Sequence, residues 1–286
     1  MSEDLNIKIS HILIPIDAAG KLHTAVAAAD PHSGKLLREL ARSLDIAFHP
    51  EPPQTCKVFL QCDPGLKGMI RDRQGDCITI RYSPEFIHDN REAFLLRECV
   101  CAAITLDCFV NKRDATLFHG TFLEENQDEG ILLFGESGIG KSTSRQRWLN
   151  EGGTSTADDA LYLFAHNGQY FVRPLPTWSH YLANGNTRIY PVEKTFRVRA
   201  IYWLSRDAEK QKIVPAEPAR YHCQLLSAMF LHAYGTHRTF STEEIQAYGE
   251  LAWDFIQKLG KTFPMQEFRA HLDYPLKSTL YGKETQ

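Results

Sequence analysis

The sequence lacks the features that mark exported and membrane-spanning chains. It has 286 residues and no uninterrupted apolar stretch of about 18 residues. The longest candidate, 94–110, is broken by Arg97, Glu98 and Asp107. Residues 1–4 (Met-Ser-Glu-Asp) have neither the basic region nor the apolar run of a signal peptide. We therefore expect no transmembrane helix, no membrane partner and a cytoplasmic location.

A strong net charge is also absent. The formal charge is -3 and the sequence pI is about 6.5, which argues against a nucleic-acid partner. The seven cysteines contain no C-x-x-C pair. An odd number of cysteines in a chain without an export signal predicts free thiols. Hydrophobic residues make up 43% of the sequence, which is enough to bury a core.

The first third of the chain predicts a mixed α/β region without a chemical motif. Apolar runs indicate strands at 10–16, 57–61 and 77–82. The spacing of leucines predicts a helix over 33–44, and a second helix is predicted over about 91–110. We assign residues 1–112 to an N-terminal α/β region of unknown role.

The remainder, 113–286, predicts a second α/β domain. Strands are expected at 115–123, 130–134, 154–157 and 198–204, and helices at 141–150, 218–234 and 242–259. Segments 161–164 and 170–172 flank His166-Asn167-Gly168, which predicts a hairpin turn.

One motif carries chemistry. Residues Gly135-Glu136-Ser137-Gly138-Ile139-Gly140-Lys141-Ser142 match the phosphate-loop pattern G-x-x-x-x-G-K-[ST]. Glycines let consecutive N–H groups point at one anion, and the following helix adds its positive N-terminus. Lys141 supplies a cation to the phosphates and Ser142 a hydroxyl to magnesium. We predict that these eight residues and Thr143 bind ATP with Mg²⁺.

A pair of carboxylates follows the predicted loop helix. Ala157-Asp158-Asp159 ends a strand, and a carboxylate at a strand end beside a phosphate loop normally meets magnesium. One aspartate could hold the metal while the other takes a hydroxyl proton. The alternative is a solvated acidic turn.

In these elements the sequence resembles the HPr kinase/phosphorylase family, whose C-terminal domain is related to the nucleotide fold of phosphoenolpyruvate carboxykinase. That family has a His-Gly dipeptide before the loop strand, a G-x-S-G-x-G-K-S loop and a later Ala-Asp-Asp. The matching residues here are His119-Gly120, the loop 135–142 and Ala157-Asp158-Asp159. Similar small proteins occur in cassettes that modify ribosomally made peptides, including the SynChlorMet type.

The resemblance implies a role for each matched residue. Lys141 binds the phosphates, Ser142 and Asp158 serve the metal, and Asp159 is the general base. His119 lies beside the transferred phosphoryl group; its alternative is a core histidine bonded within a strand. HPr kinases are hexamers, so the resemblance leaves a homo-oligomer open.

The sequence also departs from the family pattern. The family's glycine-rich G-L-G-I-I-N-V stretch and the metal-binding glutamate before it have no counterpart; the matching region is 181–188. A catalytic arginine is expected between Asp159 and the 198–204 strand. The candidates are Arg173, Arg188, Arg197 and Arg199, of which we favour Arg197 or Arg188.

These observations predict a Mg²⁺-requiring, ATP-dependent kinase of the HPr kinase type. Its acceptor would be a hydroxyl, with the serine of a peptide or small protein favoured. One alternative is a kinase for a sugar or amino acid on the same fold. The other is a non-catalytic nucleotide-binding scaffold in a peptide-modification complex.

Overall fold

The computed structural model describes residues 9–17, 20–87, 91–177, 189–207, 209–231 and 233–281. They belong to two compact units. The first unit comprises 1–113, 178–193 and 233–245, and the second comprises 114–177, 194–232 and 246–286. The division predicted from the sequence, 1–112 and 113–286, stays a prediction about domains. It did not anticipate that two later segments belong to the first unit.

The first unit is a six-stranded mixed sheet in the order β3-β1-β2-β4-β6-β5. Two helices, α1 and α2, pack against its strands. A 3₁₀ helix over Pro84–Ile87 precedes α2. The elements are β1 (Ser10–Pro15), β2 (His23–Ala28), α1 (Pro31–Leu44), β3 (Phe48–His49), β4 (Val58–Cys62), β5 (Met69–Gln74), β6 (Cys77–Tyr82), α2 (Arg91–Val110) and the short helix α5 (Tyr234–His237).

Local chemistry explains the bounds of α1. Asp30 caps its start by accepting a hydrogen bond from the Ser33 N–H at 2.8 Å. Pro31 suits the first turn because its missing N–H would have no helical partner there. Asp45 ends the helix in the left-handed conformation, with φ 56°. The predicted helix over 33–44 is therefore confirmed, and it begins two residues earlier, at Pro31.

The second unit is built on a nine-stranded mixed sheet. Its main path runs β10-β8-β9-β13-β12-β11-β7, and β15 joins β13 and β14. The strands are β7 (Ala115–Phe118), β8 (Gly120–Glu124), β9 (Glu129–Phe134), β10 (Thr154–Asp158), β11 (Leu161–His166), β12 (Gln169–Pro174), β13 (Phe196–Arg206), β14 (Lys212–Pro215) and β15 (Gln266–Ala270). The helices are α3 (Lys141–Asn150), α4 (Pro218–Phe230) and α7 (Leu276–Tyr281), and α6 (Thr242–Thr262) begins in the first unit.

Strand β9 is apolar throughout because both faces of the sheet are covered. Leu132 and Phe134 belong to a core cluster that includes residues of α4 and α6. Ile131 and Leu133 point into a second cluster, which includes Trp148 of α3. A strand buried on both faces reads as a continuous hydrophobic run. The glycine-rich loop therefore begins at the end of a strand that is buried on both faces within the sheet.

Several sequence predictions are confirmed at the level of class and element. The protein is mixed α/β, and its seven cysteines are free. The predicted hairpin joins β11 to β12, with Asn167 at φ 49° and Gly168 at φ 73°.

The helices that the structure describes include none with both the length and the apolar character needed to span a bilayer.

Candidate active site

The glycine-rich loop leaves β9 with three residues in backbone conformations that favour glycine. Gly135, Gly138 and Gly140 have φ values of 151°, 78° and 118°. A Cβ atom on Gly135 would also lie 2.9 Å from the Leu204 carbonyl oxygen. Gly140 is the N-cap of α3 and offers no side chain to the helix end. The first N–H groups of α3 are therefore not capped by that residue, as an anion-binding helix start requires.

The side chain of Lys141 is buried beneath the loop. Lys141 is 7% exposed. Its Nζ donates hydrogen bonds to the carbonyl oxygens of Gly135 at 2.8 Å and Glu136 at 2.9 Å. Burial lowers the pKa of the ammonium group, while the charges of Asp159 and Asp158 raise it and offset part of that effect. The lysine and the two aspartates are thus within electrostatic reach of each other.

Strand register brings the aspartates to the loop. Asp158 on β10 lies opposite Thr121 on β8, and Thr121 lies opposite Leu133 on β9. Leu133 is two residues before Gly135, so β9 and β10 end, and β8 begins, at the same edge of the sheet. Sequence spacing alone gives no such alignment, because it depends on β8 lying between β9 and β10.

Asp158 is held by hydroxyl groups that the sequence did not single out. It is 4% exposed. Thr121 Oγ1 donates a hydrogen bond to its carboxylate, and Thr177 Oγ1 donates to its carbonyl oxygen at 2.6 Å. A buried carboxylate with fixed oxygens is suited to contact a hard cation.

His119 and Asp159 form a pair beside this carboxylate. His119 Nδ1 lies 3.0 Å from the Asp159 carbonyl oxygen and 3.2 Å from its Oδ1. Because a carbonyl can only accept, Nδ1 carries the hydrogen in this arrangement. Asp159 has φ 83°, a conformation rare outside glycine, and its N–H donates to the Gly120 carbonyl at 2.9 Å.

The predicted strand over 115–123 is broken at His119. Strand β7 pairs with β11, whereas β8 pairs with β9 and β10. The His119 N–H donates to the carbonyl oxygen of Ala228 in α4 at 2.8 Å instead of to a strand. A Cβ atom on Gly120 would lie 2.7 Å from the Leu133 carbonyl oxygen. The glycine is thus needed for the close strand approach, and the break places the His119 ring at Asp159.

The structure does not bring Arg197 to this group. Arg197 is the partner of Glu129 at the start of β9, in register and through an ion pair. The loop leaves the other end of β9, where Phe134 is opposite Trp203. Six residues of strand, roughly 20 Å, separate the two ends. Arg199 pairs with Glu125, and Arg188 and residues 181–187 lie outside the described residues.

Arg206, at the far end of β13, contacts the loop. Its Nε donates to the Ile139 carbonyl at 3.0 Å and its Nη2 to the Gly138 carbonyl at 2.7 Å. Carboxyl ends of neighbouring parallel strands meet at one sheet edge, and β9 and β13 are parallel. That rule could have identified Arg206 had the pairing of the two strands been known.

The remaining loop residues are accessible to a ligand. Glu136, Ser137, Ser142 and Thr143 are exposed. The carboxylate of Glu136 accepts a hydrogen bond from Gln224 Nε2 at 3.0 Å. Among the described residues, no group of three or more His, Cys, Asp and Glu side chains could hold a metal ion. Magnesium that arrives with a nucleotide needs only one or two carboxylates besides the phosphates.

A cavity of about 750 Å³ in the first unit offers no comparable chemistry. It is lined by three arginines, but each is paired with a carboxylate and none is a free anion-binding cation. The pairs are Arg71–Glu98, Arg73–Glu244 and Arg81–Asp72.

Fold and site together define a mixed α/β protein whose strand–loop–helix segment carries a phosphate-loop sequence. The chain belongs to the family described as SynChlorMet cassette protein ScmC, whose family model matches residues 88–279, more than half of the chain. The predicted relation to SynChlorMet-type cassettes is thereby confirmed.

Two further comparisons bear on the chain. A search of curated proteins found no match. One solved structure that matches is the Hpr(Ser) kinase/phosphatase from Coxiella burnetii, at 20% identity and a TM-score of 0.24, covering 35% of this chain and 77% of that chain. At that identity and TM-score, no activity is transferred from it.

Proposed function

We propose that this protein is an ATP-dependent, Mg²⁺-requiring kinase of the HPr kinase type that phosphorylates a hydroxyl group. The observation that carries the proposal is the buried Lys141 ammonium, held by loop carbonyls within electrostatic reach of Asp158 and Asp159. A cation under a glycine-rich loop and a pair of acidic side chains meet the two needs of phosphoryl transfer, which are charge neutralisation and proton acceptance.

The residues present fit a nucleotide with its metal. The loop 135–140 and the first turn of α3 offer N–H groups to phosphate oxygens. The exposed Ser142 hydroxyl and the fixed Asp158 carboxylate provide oxygen ligands of the kind magnesium prefers. When bound, magnesium neutralises charge on the β- and γ-phosphates.

In the proposed reaction, Asp159 acts on the acceptor. The acceptor oxygen forms a bond to the γ-phosphorus while the bond from that phosphorus to the bridging oxygen of ADP breaks. Asp159 takes the proton that the hydroxyl loses, and His119 holds Asp159 in place through Nδ1. Lys141 stabilises negative charge on the phosphates. Arg197 has no part in this proposal because it is paired with Glu129 at the opposite end of the strand.

The acceptor that we favour is a serine in a peptide or small protein. The side chain of Asp159 is 32% exposed, so a hydroxyl on a large molecule can reach it. The cassette family supports a partner encoded by the same cassette, and peptide substrates are typical of the related cassettes named above.

Phosphoryl transfer can be tested directly. The protein is incubated with γ-labelled ATP, Mg²⁺ and one of three acceptor sets: cassette-encoded peptides, free amino acids, or sugars. We expect label on peptide serine. Label on an amino acid or sugar instead would favour the small-molecule kinase. Tight nucleotide binding with no labelled product from any set would contradict the proposal and favour the scaffold.

Removing the hydroxyl that holds Asp158 should weaken magnesium use. In Thr121→Val, the carboxylate loses its hydrogen-bond donor while the side-chain shape is kept. We expect the Mg²⁺ concentration needed for half-maximal nucleotide binding to rise about 10-fold. Thr116→Val is the matched control, since Thr116 is also buried but bonds a strand carbonyl. Equal magnesium requirements in the two variants would contradict the assignment of Asp158 as a metal ligand.

The lowered pKa of Lys141 predicts how ATP affinity varies with pH. Only the protonated lysine attracts phosphate, so affinity should fall as pH rises through the pKa of this group in the free protein. Burial sets that pKa below 10.5, the value of an ordinary lysine. Calorimetry without Mg²⁺ above about pH 8, where the phosphates are fully ionised, isolates the lysine. Lys141→Arg should show no such fall, because arginine does not titrate in this range. An ATP affinity that stays constant up to pH 10.5 in the wild-type protein would contradict the assignment.

A further inference from the structure

A cavity of about 470 Å³ adjoins the glycine-rich loop within the second unit. Its walls include Gly140 and Thr143 at the start of α3, Arg147 one turn further on, and Arg206 at the end of β13. Ala270 at the end of β15 and residues 271–273 after it complete the lining. Ligand sites for small molecules commonly have volumes of about 300 to 1,000 Å³. The cavity is thus large enough for a nucleoside.

The cavity lies where a bound nucleotide would continue. Gly140 and Thr143 flank Lys141 and Ser142, which the proposed function assigns to the terminal phosphates and magnesium. Backbone N–H groups of a phosphate loop hold the α- and β-phosphates. A nucleoside attached to those phosphates would therefore lie beyond the loop, next to Thr143. Thr143 lines the cavity.

We infer that this cavity receives the purine ribonucleoside of the nucleotide, with Leu272 as the apolar surface on which the base rests. The inference depends on the proposed function, because the phosphates fix the position of the nucleoside. Nothing in the phosphate-loop pattern specifies this part of the ligand.

The apolar side of the cavity is exposed to solvent at Leu272. Leu272 is 73% exposed and lines the cavity together with Ile139 and Ala270. Together the three side chains give one side of the concave site an apolar surface, as small-molecule sites commonly have. A flat purine base would remove that surface from water, and a purine covers more of it than the smaller pyrimidine ring.

Two arginines give the cavity its cationic side. Arg206 is fixed by its bonds to the carbonyls of Gly138 and Ile139. Arg147 is fixed by donation to the Tyr274 carbonyl and to Gln211 Oε1, the latter at 3.4 Å. Planar guanidinium groups held in place stack well on aromatic rings and attract phosphate oxygens.

The carboxylates in the cavity differ in what they can accept. Asp207 is already engaged by the N–H groups of Glu209 at 2.9 Å and Lys210 at 3.4 Å and by Lys212 Nζ at 2.9 Å. The side chain of Asp273 is 88% exposed, and its Oδ2 lies 3.8 Å from His271 Nδ1. Asp273 is therefore the acceptor that a ribose hydroxyl can use.

The test compares ATP with inorganic tripolyphosphate, both with Mg²⁺, by calorimetry. Tripolyphosphate carries the phosphates without the nucleoside. We expect wild-type protein to bind ATP about 10-fold or more tightly than tripolyphosphate, and Leu272→Ser to lose most of that difference while tripolyphosphate affinity stays unchanged. Leu272→Met should retain it. Leu231→Ser is the matched control, since Leu231 is 53% exposed in the same unit.

The outcomes separate this inference from the proposed function. Equal wild-type affinities for ATP and tripolyphosphate would overturn the nucleoside site and leave the phosphate loop intact. Retention of the full ATP preference in Leu272→Ser would also overturn it. Failure of both ATP and tripolyphosphate to bind would instead contradict the proposed function itself.

Discussion

Replacing Asp159 by asparagine should abolish phosphoryl transfer while ATP and Mg²⁺ still bind. Asparagine keeps the size of the side chain and can still accept a hydrogen bond from His119 Nδ1, but it cannot take the acceptor's proton. Loss of a general base reduces turnover by about 100-fold or more. The measurement is the initial rate of serine phosphorylation from γ-labelled ATP, with nucleotide affinity determined on the same preparation.

The control for this variant is Asp254→Asn. Asp254 is an exposed carboxylate on α6 in the same unit, and its change removes the same charge away from the loop. We expect wild-type turnover from it. Retained turnover in Asp159→Asn would remove the assigned base. Joint loss of turnover and nucleotide affinity would show that Asp159 has a binding role instead.

Replacing Lys141 by methionine should remove most of the affinity for the nucleotide. Methionine has a similar length and suits a buried position, but it carries no charge. Hydrogen bonds to a charged group contribute about 1.5–3 kcal/mol each, so affinity should fall about 10- to 100-fold or more. Calorimetric titration with MgATP measures the effect.

Two controls keep this result interpretable. Lys261→Met removes an exposed lysine of α6 in the same unit and should leave affinity unchanged. Thermal unfolding of Lys141→Met without ligand shows whether the loop survives, since Gly135 and Glu136 lose the donor to their carbonyls. A folded Lys141→Met protein with wild-type affinity would place the nucleotide elsewhere.

The features that the sequence predicts well are those set by neighbouring residues. The loop 135–142 and the helix after it follow from adjacent glycines and from the apolar strand before them. The hairpin at Asn167-Gly168 depends on two residues that tolerate positive φ. The start of α6 is likewise local, because Ser241 and Glu244 exchange side-chain to backbone hydrogen bonds across one turn.

The features that the sequence did not predict depend on which strands lie side by side. Thr121 and Thr177 reach Asp158 from positions 37 and 19 residues away, and no local pattern relates them. Arg197 was a candidate because it lies between Asp159 and the predicted 198–204 strand. In the register of β13 on β9, Arg197 at the start of β13 lies opposite Glu129. Arg206 at the end of β13 lies at the loop.

The break at His119 shows how tertiary contacts override a local pattern. Residues 115–123 are apolar enough to read as one strand. The chain instead passes from β7 to β8 at His119, whose N–H donates a hydrogen bond to α4.

Strands β2 and β5 were not predicted from the sequence, for a related reason. Short, small or charged segments such as His23–Ala28 and Met69–Gln74 become strands through their sheet partners more than through propensity.

Binding of MgATP to the wild-type protein tests the central claim most directly. The claim is that the amides of the loop and the buried Lys141 hold a polyphosphate opposite Asp158 and Asp159. Titration calorimetry should show saturable binding to one site per chain, together with a rise in unfolding temperature. Absence of both heat and thermal shift at millimolar MgATP would contradict the account.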